Sequence, residues 1–447
     1  MENNAVKIVE NLKFCVFDLE TTGGNQKSDK IIEIGLVRVE NMKIVSEKNY
    51  LINPEIKIPD FIQKLTHISD RDVEKAPRID DVIEEILVQM QDCVLVAHNT
   101  SFDVPFFNSV LTRMGKSALP NKSLCTHLMT KYLIPGLLNS NLHYMCSIFN
   151  IPHKNAHRAL DDARASAQLL LKFLHIFIDK KINKLNHLYY PRNKYELDRI
   201  HLKKSDPVSD IIAHLKKLSS PYIITMKGEN GITLFSLPGK NDTKEAEIKL
   251  IETQLNTLPW ETISIRIFGP FVEAIIHFGA YVSKLTPLMR SQIIDFLWAN
   301  HLSGHKKIVE RADDESYAPL LITKEKNLGE FIISNHLVPE QLIIFPINSL
   351  HPLSELIFRF PGNKAKLLQY VNSRSGKPSF SKQNAGPSTM GLKDFLLQYI
   401  EDLKETKKEA YIFSKPKAGS TPHDFLPDLE KFLDKNHHSF NYPAHYI

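Results

Sequence analysis

The first 178 residues of this 447-residue chain predict an α/β domain, and the remainder predicts an α+β region. Two observations predict the α/β domain. Short apolar runs bounded by turn residues are typical of strands, and apolar residues at helical spacing separate them. No apolar run reaches the roughly 20 residues of a membrane span, so no membrane partner is expected.

The α/β domain begins with a predicted meander of three strands, which cover residues 13–20, 31–39 and 44–54. Residues 78–91 predict a helix, because Val82, Ile86 and Met90 recur at helical spacing. The segment CVLVAHN, residues 93–99, predicts a buried strand. Two more helices follow, over residues 101–115 and 157–177, and Pro105 fits in the first turn of the former.

The composition changes after this domain. We assign residues 10–178 to the α/β domain, 181–210 to a basic connector with tyrosines, 211–372 to an α+β domain of unknown function, 373–390 to a Pro/Gly/Ser-rich linker, and 391–447 to a C-terminal helix and tail. Within the α+β domain, residues 221–238 predict a hairpin and residues 243–258 predict a helix.

Charge and cysteines limit the class of protein. The net charge is +5, and the surplus lies beyond residue 180. A mildly basic second half permits contact with nucleic acid, although a solvated surface with a small surplus of lysine is the favoured explanation. None of the four cysteines lies at CxxC spacing, which argues against a zinc site and favours reduced thiols in a cytoplasmic protein.

The first strand carries two acids, Asp18 and Glu20. Residues i and i+2 of a strand share a face, so the two carboxylates point the same way and Leu19 points the other way. Close carboxylates raise each other's pKa and suit a hard divalent cation. Acids on the wet face of a strand are common, so this pair alone is weak evidence for a metal site.

Two further clusters strengthen the metal hypothesis. HNTSFD, residues 98–103, follows a buried strand and places Asp103 near its end. HRALDD, residues 157–162, offers a histidine and two acids. Five residues on a helix turn through about 500°, which would leave His157 and Asp162 roughly 140° apart. His157 must therefore precede the helix if the two are to converge, and periodicity does not distinguish Asp161 from Asp162.

Together, FDLETTG, HNTSFD and the His-to-Asp spacing of the third cluster resemble the three motifs of the DEDDh family of 3′–5′ exonucleases, which includes the proofreading (epsilon) subunit of bacterial DNA polymerase III. The resemblance covers residues 10–178. It implies a ribonuclease H-like exonuclease domain, in which helices flank a mixed central sheet. The family spacing also selects Asp162 over Asp161.

The resemblance implies roles for five residues. Asp18, Glu20, Asp103 and Asp162 would hold two Mg²⁺ or Mn²⁺ ions, and His157 would be the general base. The implied substrates are single-stranded 3′ ends of nucleic acid. Oligoribonucleases of the family usually carry methionine at the position of Thr21, which favours DNA in proofreading or repair. A ribonuclease T-like RNA exonuclease and a non-cutting nucleic-acid scaffold remain alternatives.

Other assignments are subsidiary. By resemblance, Thr21 and Thr66 contact nucleotides, and His67 stands where relatives usually have glycine. We also assign Phe102 and His98 to nucleotide binding.

Both of these have structural alternatives. Phe102 could simply pack in the core. His98, with Asn99, could instead brace Asp103.

One fragment of the second half, QLIIF at residues 341–345, resembles the peptide by which bacterial polymerase partners dock on the sliding clamp. This makes a polymerase or sliding clamp a candidate partner. The same fragment also predicts a buried apolar strand, which would be unavailable for docking.

Overall fold

The computed structural model divides the chain into two compact units, one ending at Leu197 and the other beginning at Asp198. The structure describes residues 9–134, 137, 139–179, 188, 197–240, 244–302, 330–338, 341–347, 358–361, 390–406, 411–413, 427 and 431. Half of the predicted connector, most of the predicted tail and all of the predicted linker except Met390 lie outside these residues.

The first unit is built on a five-stranded mixed sheet of order β3-β2-β1-β4-β5. Its strands are β1 (Phe14–Thr21), β2 (Ile31–Glu40), β3 (Lys43–Leu51), β4 (Val94–Ala97) and β5 (Ser123–Cys125). The first three form the predicted antiparallel meander, whereas β4 lies parallel to both β1 and β5.

Helices cover both faces of this sheet. They are α1 (Asp60–Thr66), α2 (Asp70–Val73), α3 (Ile79–Met90), α4 (Thr100–Arg113), α5 (Thr126–Leu133), α6 (Leu142–Ile148) and α7 (Ala159–Asp179). Side chains of β1 such as Phe17 and Leu19 pack with those of α3 and α4 in one hydrophobic core. The expected ribonuclease H-like arrangement, a mixed sheet flanked by helices, is confirmed.

The start of α7 lies directly on β2. A Cβ atom on Gly35 would come within 2.2 Å of the backbone carbonyl group of Ala159, so only glycine permits this approach. Gly35 is paired with Asp18 on the neighbouring strand. The helix therefore begins next to the acidic face of β1.

The second unit contains two four-stranded sheets, of order β6-β9-β7-β8 and β12-β11-β10-β13. The strands are β6 (Arg199–Lys203), β7 (Tyr222–Lys227), β8 (Thr233–Gly239), β9 (Thr262–Ile267), β10 (Glu330–Asn335), β11 (Gln341–Ile347), β12 (Phe358–Pro361) and β13 (Tyr411–Phe413). The helices are α8 (Val208–Lys217), α9 (Lys244–Thr257), α10 (Phe271–Val282), α11 (Pro287–His301) and α12 (Met390–Thr406). The predicted hairpin is β7–β8.

The strand pairing of the structure differs from two predicted boundaries. The second half of the connector contains β6, which pairs with β9, so this segment belongs to the second unit. The C-terminal helix is also not separate. Its residues Phe395 and Tyr399 are buried and contact Trp298 and Phe271, and β13 after it pairs with β10. Both predicted boundaries were placed at changes in composition, which do not report strand pairing.

The QLIIF fragment forms most of β11, the strand that pairs with β10 on one side and β12 on the other. Gln341, Leu342, Ile343 and Ile344 are buried. A clamp-docking peptide must offer its backbone and side chains to a partner, and here both are already used. The structure therefore supports the buried-strand interpretation of this fragment and gives the clamp-docking interpretation no support.

None of the described helices combines the length and the apolar character needed to cross a membrane. The four cysteines are free thiols and are buried.

Candidate active site

The first two acids of the site lie on β1 and face α7. Glu20 is 9% exposed, and Asp18 keeps more of its surface open. Leu19 points to the opposite face, into the core with α3 and α4. The alternation expected from the sequence therefore places both carboxylates at the start of α7.

Asp103 reaches the site from the first turn of α4, which begins directly after β4. The residue is 4% exposed, and backbone hydrogen bonding from Leu19 partly offsets the rise in its pKa that burial causes. Because β4 runs parallel to β1, the end of β4 brings this turn beside the acids of β1. Parallel strand ends are the usual place for sites in such sheets.

The third motif is arranged as the five-residue spacing requires. His157 lies on the turn before α7 with a φ of 63°, and Asp162 lies in the first turns of the helix. One carboxylate oxygen of Asp162 lies 2.5 Å from Nε2 of His153. The other accepts the backbone N–H of His157 at 3.2 Å. Asp162 thus links the histidine turn to the helix.

The structure distinguishes Asp161 from Asp162. Asp161 accepts hydrogen bonds from Arg164 and from the side-chain amide of Asn155. Asp162 offers a ligand atom within 4.8 Å of ligand atoms of Glu20 and His157. Asp162 is therefore the acid that faces the cluster, in agreement with the family spacing.

The electrostatics of the cluster favour a cation. Burial, followed by the charges of Asp103 and Asp162, raises the pKa of Asp18 well above its usual value. Burial, followed by the charge of Asp162, raises the pKa of Glu20 to about 8, and burial raises that of Asp103 to about 7.

Among the described residues, the four acids take part in one ion pair, which joins Asp162 to His153. The donors are hard carboxylate oxygens that repel one another. Such a set fits Mg²⁺ or Mn²⁺ and requires positive charge to be fully ionised.

Two predicted nucleotide contacts are already engaged within the protein. The hydroxyl group of Thr21 donates to the carbonyl oxygen of Gly23. Thr66 is fully buried, donates to the carbonyl oxygen of Ile62 and accepts the N–H of Ile68. Its contact with a nucleotide stays a prediction. His67 has a φ of 56°, the conformation for which relatives would use glycine.

His98 braces a different part of the domain from the one expected. Its Nε2 lies 2.8 Å from the carbonyl oxygen of Ser140, and its Nδ1 lies 3.0 Å from the hydroxyl of Thr126. A carbonyl only accepts, so Nε2 carries the proton in the neutral ring. Burial lowers the pKa of His98 to about 4, which keeps the ring neutral. Both ring nitrogens contact groups other than Asp103, and the assignment of His98 to nucleotide binding stays a prediction.

Asn99 does not brace Asp103 either, since its side chain accepts the hydroxyl of Ser101. The ring of Phe102 packs against that of Phe106, with the ring centroids 5.5 Å apart, and the residue remains partly exposed. Packing within the protein therefore leaves part of its surface open to a nucleotide. Its role in nucleotide binding stays a prediction.

The sequence interpretation missed Glu33, a fully buried acid of β2. Glu33 is paired with Glu20 across the two strands and forms an ion pair with Arg158. The signal available in the sequence was a charged residue inside the apolar run IIEIGLV. A buried acid of this kind requires a partner, but the sequence does not reveal which one.

Without metal ions, the first unit is expected to lose thermal stability as the pH rises from about 5 to about 8. The raised pKa values of Glu20 and Asp103 mean that the folded state keeps protons that unfolded carboxyl groups, with pKa values near 4, have released. The free energy of unfolding therefore falls with rising pH in this window. Each loss of ~1 kcal/mol in the free energy of unfolding corresponds to a decrease of about 2–4 °C in Tm. Calorimetry of the full chain in EDTA measures this decrease.

Millimolar Mn²⁺ should reverse this loss, with a larger gain in Tm at pH 8 than at pH 5, because ions bind the ionised carboxylates of the folded state. Glu20→Gln should reduce the gain. Both tryptophans, Trp260 and Trp298, lie in the second unit, so their fluorescence follows a region without this site and should shift less. Identical calorimetric curves in EDTA and Mn²⁺ at pH 8 would argue against a preformed metal site.

The segment that carries this site is similar to parts of known proteins. Residues 15–170 match the family model described as Exonuclease. The chain is 40% identical over 162 residues to a PolC-type DNA polymerase III of Caldanaerobacter subterraneus subsp. tengcongensis, covering 36% of this chain and 12% of that protein. It is 36% identical over 185 residues to a 3′-5′ exonuclease DinG of Staphylococcus haemolyticus, covering 41% of this chain and 21% of that protein.

The chain therefore spans a small part, about an eighth to a fifth, of the curated relatives it matches. Among solved structures, exonuclease X in complex with 5′ overhanging duplex DNA is 27% identical, with a TM-score of 0.30, covering 36% of this chain and 90% of that one. The family match covers the segment that carries the three motifs, so residues 15–170 are similar to exonuclease domains, in agreement with the resemblance drawn from those motifs.

Proposed function

We propose that this protein is a metal-dependent 3′–5′ exonuclease that removes nucleotides from single-stranded 3′ ends, with DNA as the favoured substrate in proofreading or repair. One observation carries the proposal. Four acids from three separate segments, namely Asp18, Glu20, Asp103 and Asp162, interact with one another at the start of α7 and have His157 beside them. The family match of the same residues supports it.

The four acids would hold two Mg²⁺ or Mn²⁺ ions. When bound, such ions position a scissile phosphodiester, activate water and stabilise the leaving oxygen. The acids themselves repel one another and would repel a phosphate, so their contribution is to hold positive charge where the phosphate must lie.

His157 is placed to handle the proton of the attacking water. It lies on the exposed turn before α7 and is close to Glu20 and Asp162. Histidine side chains titrate near neutrality, which suits a general base. His153 is less suited, because its ring is buried and Nε2 is already on Asp162.

The preference for DNA rests on Thr21 and on the relatives. One relative is described as a DNA polymerase III and another as a 3′-5′ exonuclease. The hydroxyl group of Thr21 is held by Gly23, which leaves a compact residue at the end of β1. A ribonuclease T-like activity on RNA and a scaffold that binds without cutting are the alternatives.

The test is digestion of matched 3′-labelled and 5′-labelled single strands of DNA and RNA by the full chain. Each strand is incubated with Mg²⁺, with Mn²⁺ and with EDTA. We expect single nucleotides to be released from the 3′ end only when metal is present, and faster from DNA than from RNA. Faster RNA digestion would support the ribonuclease T-like alternative. Tight binding without release in any metal would support the scaffold.

A further inference from the structure

A fifth carboxylate, Glu33, lies beside the four proposed ligands but is not available to a metal ion. One oxygen of Glu33 accepts from a terminal nitrogen of Arg158 at 2.8 Å and from Nδ2 of Asn49 at 2.8 Å. The other accepts from Nε of Arg158 at 3.2 Å and from the backbone N–H of Ala159 at 2.9 Å. Four donors occupy the four lone-pair positions of one carboxylate.

These donors tie β2 to the beginning of α7. Ala159 is the first residue of the helix, and its N–H has no acceptor within the helix. Glu33 supplies that acceptor from a strand 126 residues away in sequence. Two positions along β2, Gly35 allows the backbone of Ala159 to approach the sheet. The helix start is therefore fixed both by hydrogen bonds and by close contact.

His157 lies directly before the two residues that Glu33 holds. Its φ of 63° is a left-handed conformation that a residue other than glycine adopts at some cost, so the surroundings must impose it. The backbone N–H of His157 bonds to Asp162 on one side. On the other side, the forked contact between Glu33 and Arg158 fixes the position of the residue that follows His157.

We propose that Glu33 is a positioning residue, whose contact with Arg158 and Ala159 holds His157 in its place beside the four acids. This inference rests on the proposed exonuclease function. Glu33 touches neither substrate nor ion in this role. Because Glu33 lies on a strand of the central sheet, its contacts keep the exposed turn that carries His157 in a fixed orientation.

The test compares kcat, KM and Mn²⁺ affinity of full-chain variants on a 3′-labelled DNA strand. Arg158→Met removes both guanidinium hydrogen bonds to Glu33 at a partly exposed position. Glu33→Gln removes the charge of the carboxylate. We expect kcat to fall about 10- to 100-fold, the usual cost of losing a group that orients another, with KM and Mn²⁺ affinity within about twofold of wild type. Arg158→Lys should restore part of kcat, because it returns one donor.

A double-mutant comparison separates positioning from a general loss of structure. In a His157→Asn background, Glu33→Gln should cause no further loss of kcat, because the two residues act through one group. Glu47→Gln is the matched control, since it breaks a forked contact of a different arginine, Arg164 of α7, away from the histidine. It should leave kcat unchanged.

The outcomes distinguish the two proposals. If wild type digests no strand in any metal, the proposed function fails and the inference fails with it. If wild type is active and Arg158→Met keeps the wild-type kcat, only the positioning role is overturned. An additive loss in the His157→Asn background also overturns it. If thermal melting shows that Glu33→Gln is unfolded, the Arg158 variants alone decide.

Discussion

Asp18→Ala is expected to abolish metal-dependent hydrolysis while leaving the protein folded. The charges of Asp103, Asp162 and Glu20 all act on Asp18, which places it at the centre of the cluster. Its loss should remove the metal centre rather than weaken it. The expected decrease in rate is at least on the order of 10²–10³, the loss that follows removal of a single stabilising group from an active site. Single-turnover digestion of a 3′-labelled strand measures it.

The stability of this variant provides an independent check. Removing one acid from a mutually repelling cluster relieves repulsion, so the Tm in EDTA should not fall. The gain in Tm on adding Mn²⁺ should disappear. Asp161→Ala is the matched control, because Asp161 is paired with Arg164 and Asn155 outside the cluster. A purified Asp18→Ala protein with the wild-type rate would show that the site is elsewhere.

His157→Asn is expected to lower turnover by on the order of 10²–10⁴, the usual contribution of a general base, with little change in Mn²⁺ affinity. Asparagine is chosen because it tolerates the left-handed backbone that this position requires, so that backbone strain is not added to the loss of the imidazole. Parallel measurements of single-turnover rate and Mn²⁺ titration test the prediction. His175→Asn, within α7 and bonded to the carbonyl oxygen of Leu171, should behave as wild type.

The geometry also permits a different role for His157, since its ring lies within 4.8 Å of ligand atoms of Glu20 and Asp162. If Mn²⁺ affinity falls as steeply as the rate, His157 is a metal ligand and the general-base mechanism is wrong. If neither changes, His153 becomes the next candidate, because it contacts Asp162 from the same loop before α7.

The sequence by itself determined the features that depend on local periodicity. Strand alternation placed Asp18 and Glu20 on one face and Leu19 on the other, because successive side chains of a strand must point in opposite directions. The angle between helical positions required His157 to lie before α7. The helical spacing of Val82, Ile86 and Met90 likewise predicted α3.

Segment boundaries were less well determined. The connector and the C-terminal helix looked separate in composition, yet β6 and β13 pair with strands far along the chain. Strand pairing depends on backbone groups that every residue carries, so composition does not report it.

Only the tertiary structure decided which partner each polar atom takes. Asp161 and Asp162 are equivalent in periodicity, but one meets Arg164 and the other meets the cluster. His98 is held by Ser140 rather than by Asp103. The contact of Glu33 with Arg158 joins residues 125 positions apart. Periodicity specifies the direction of a side chain relative to its own element, whereas the atom it meets depends on how separate elements pack, and that is settled only when the sheet and α7 come together.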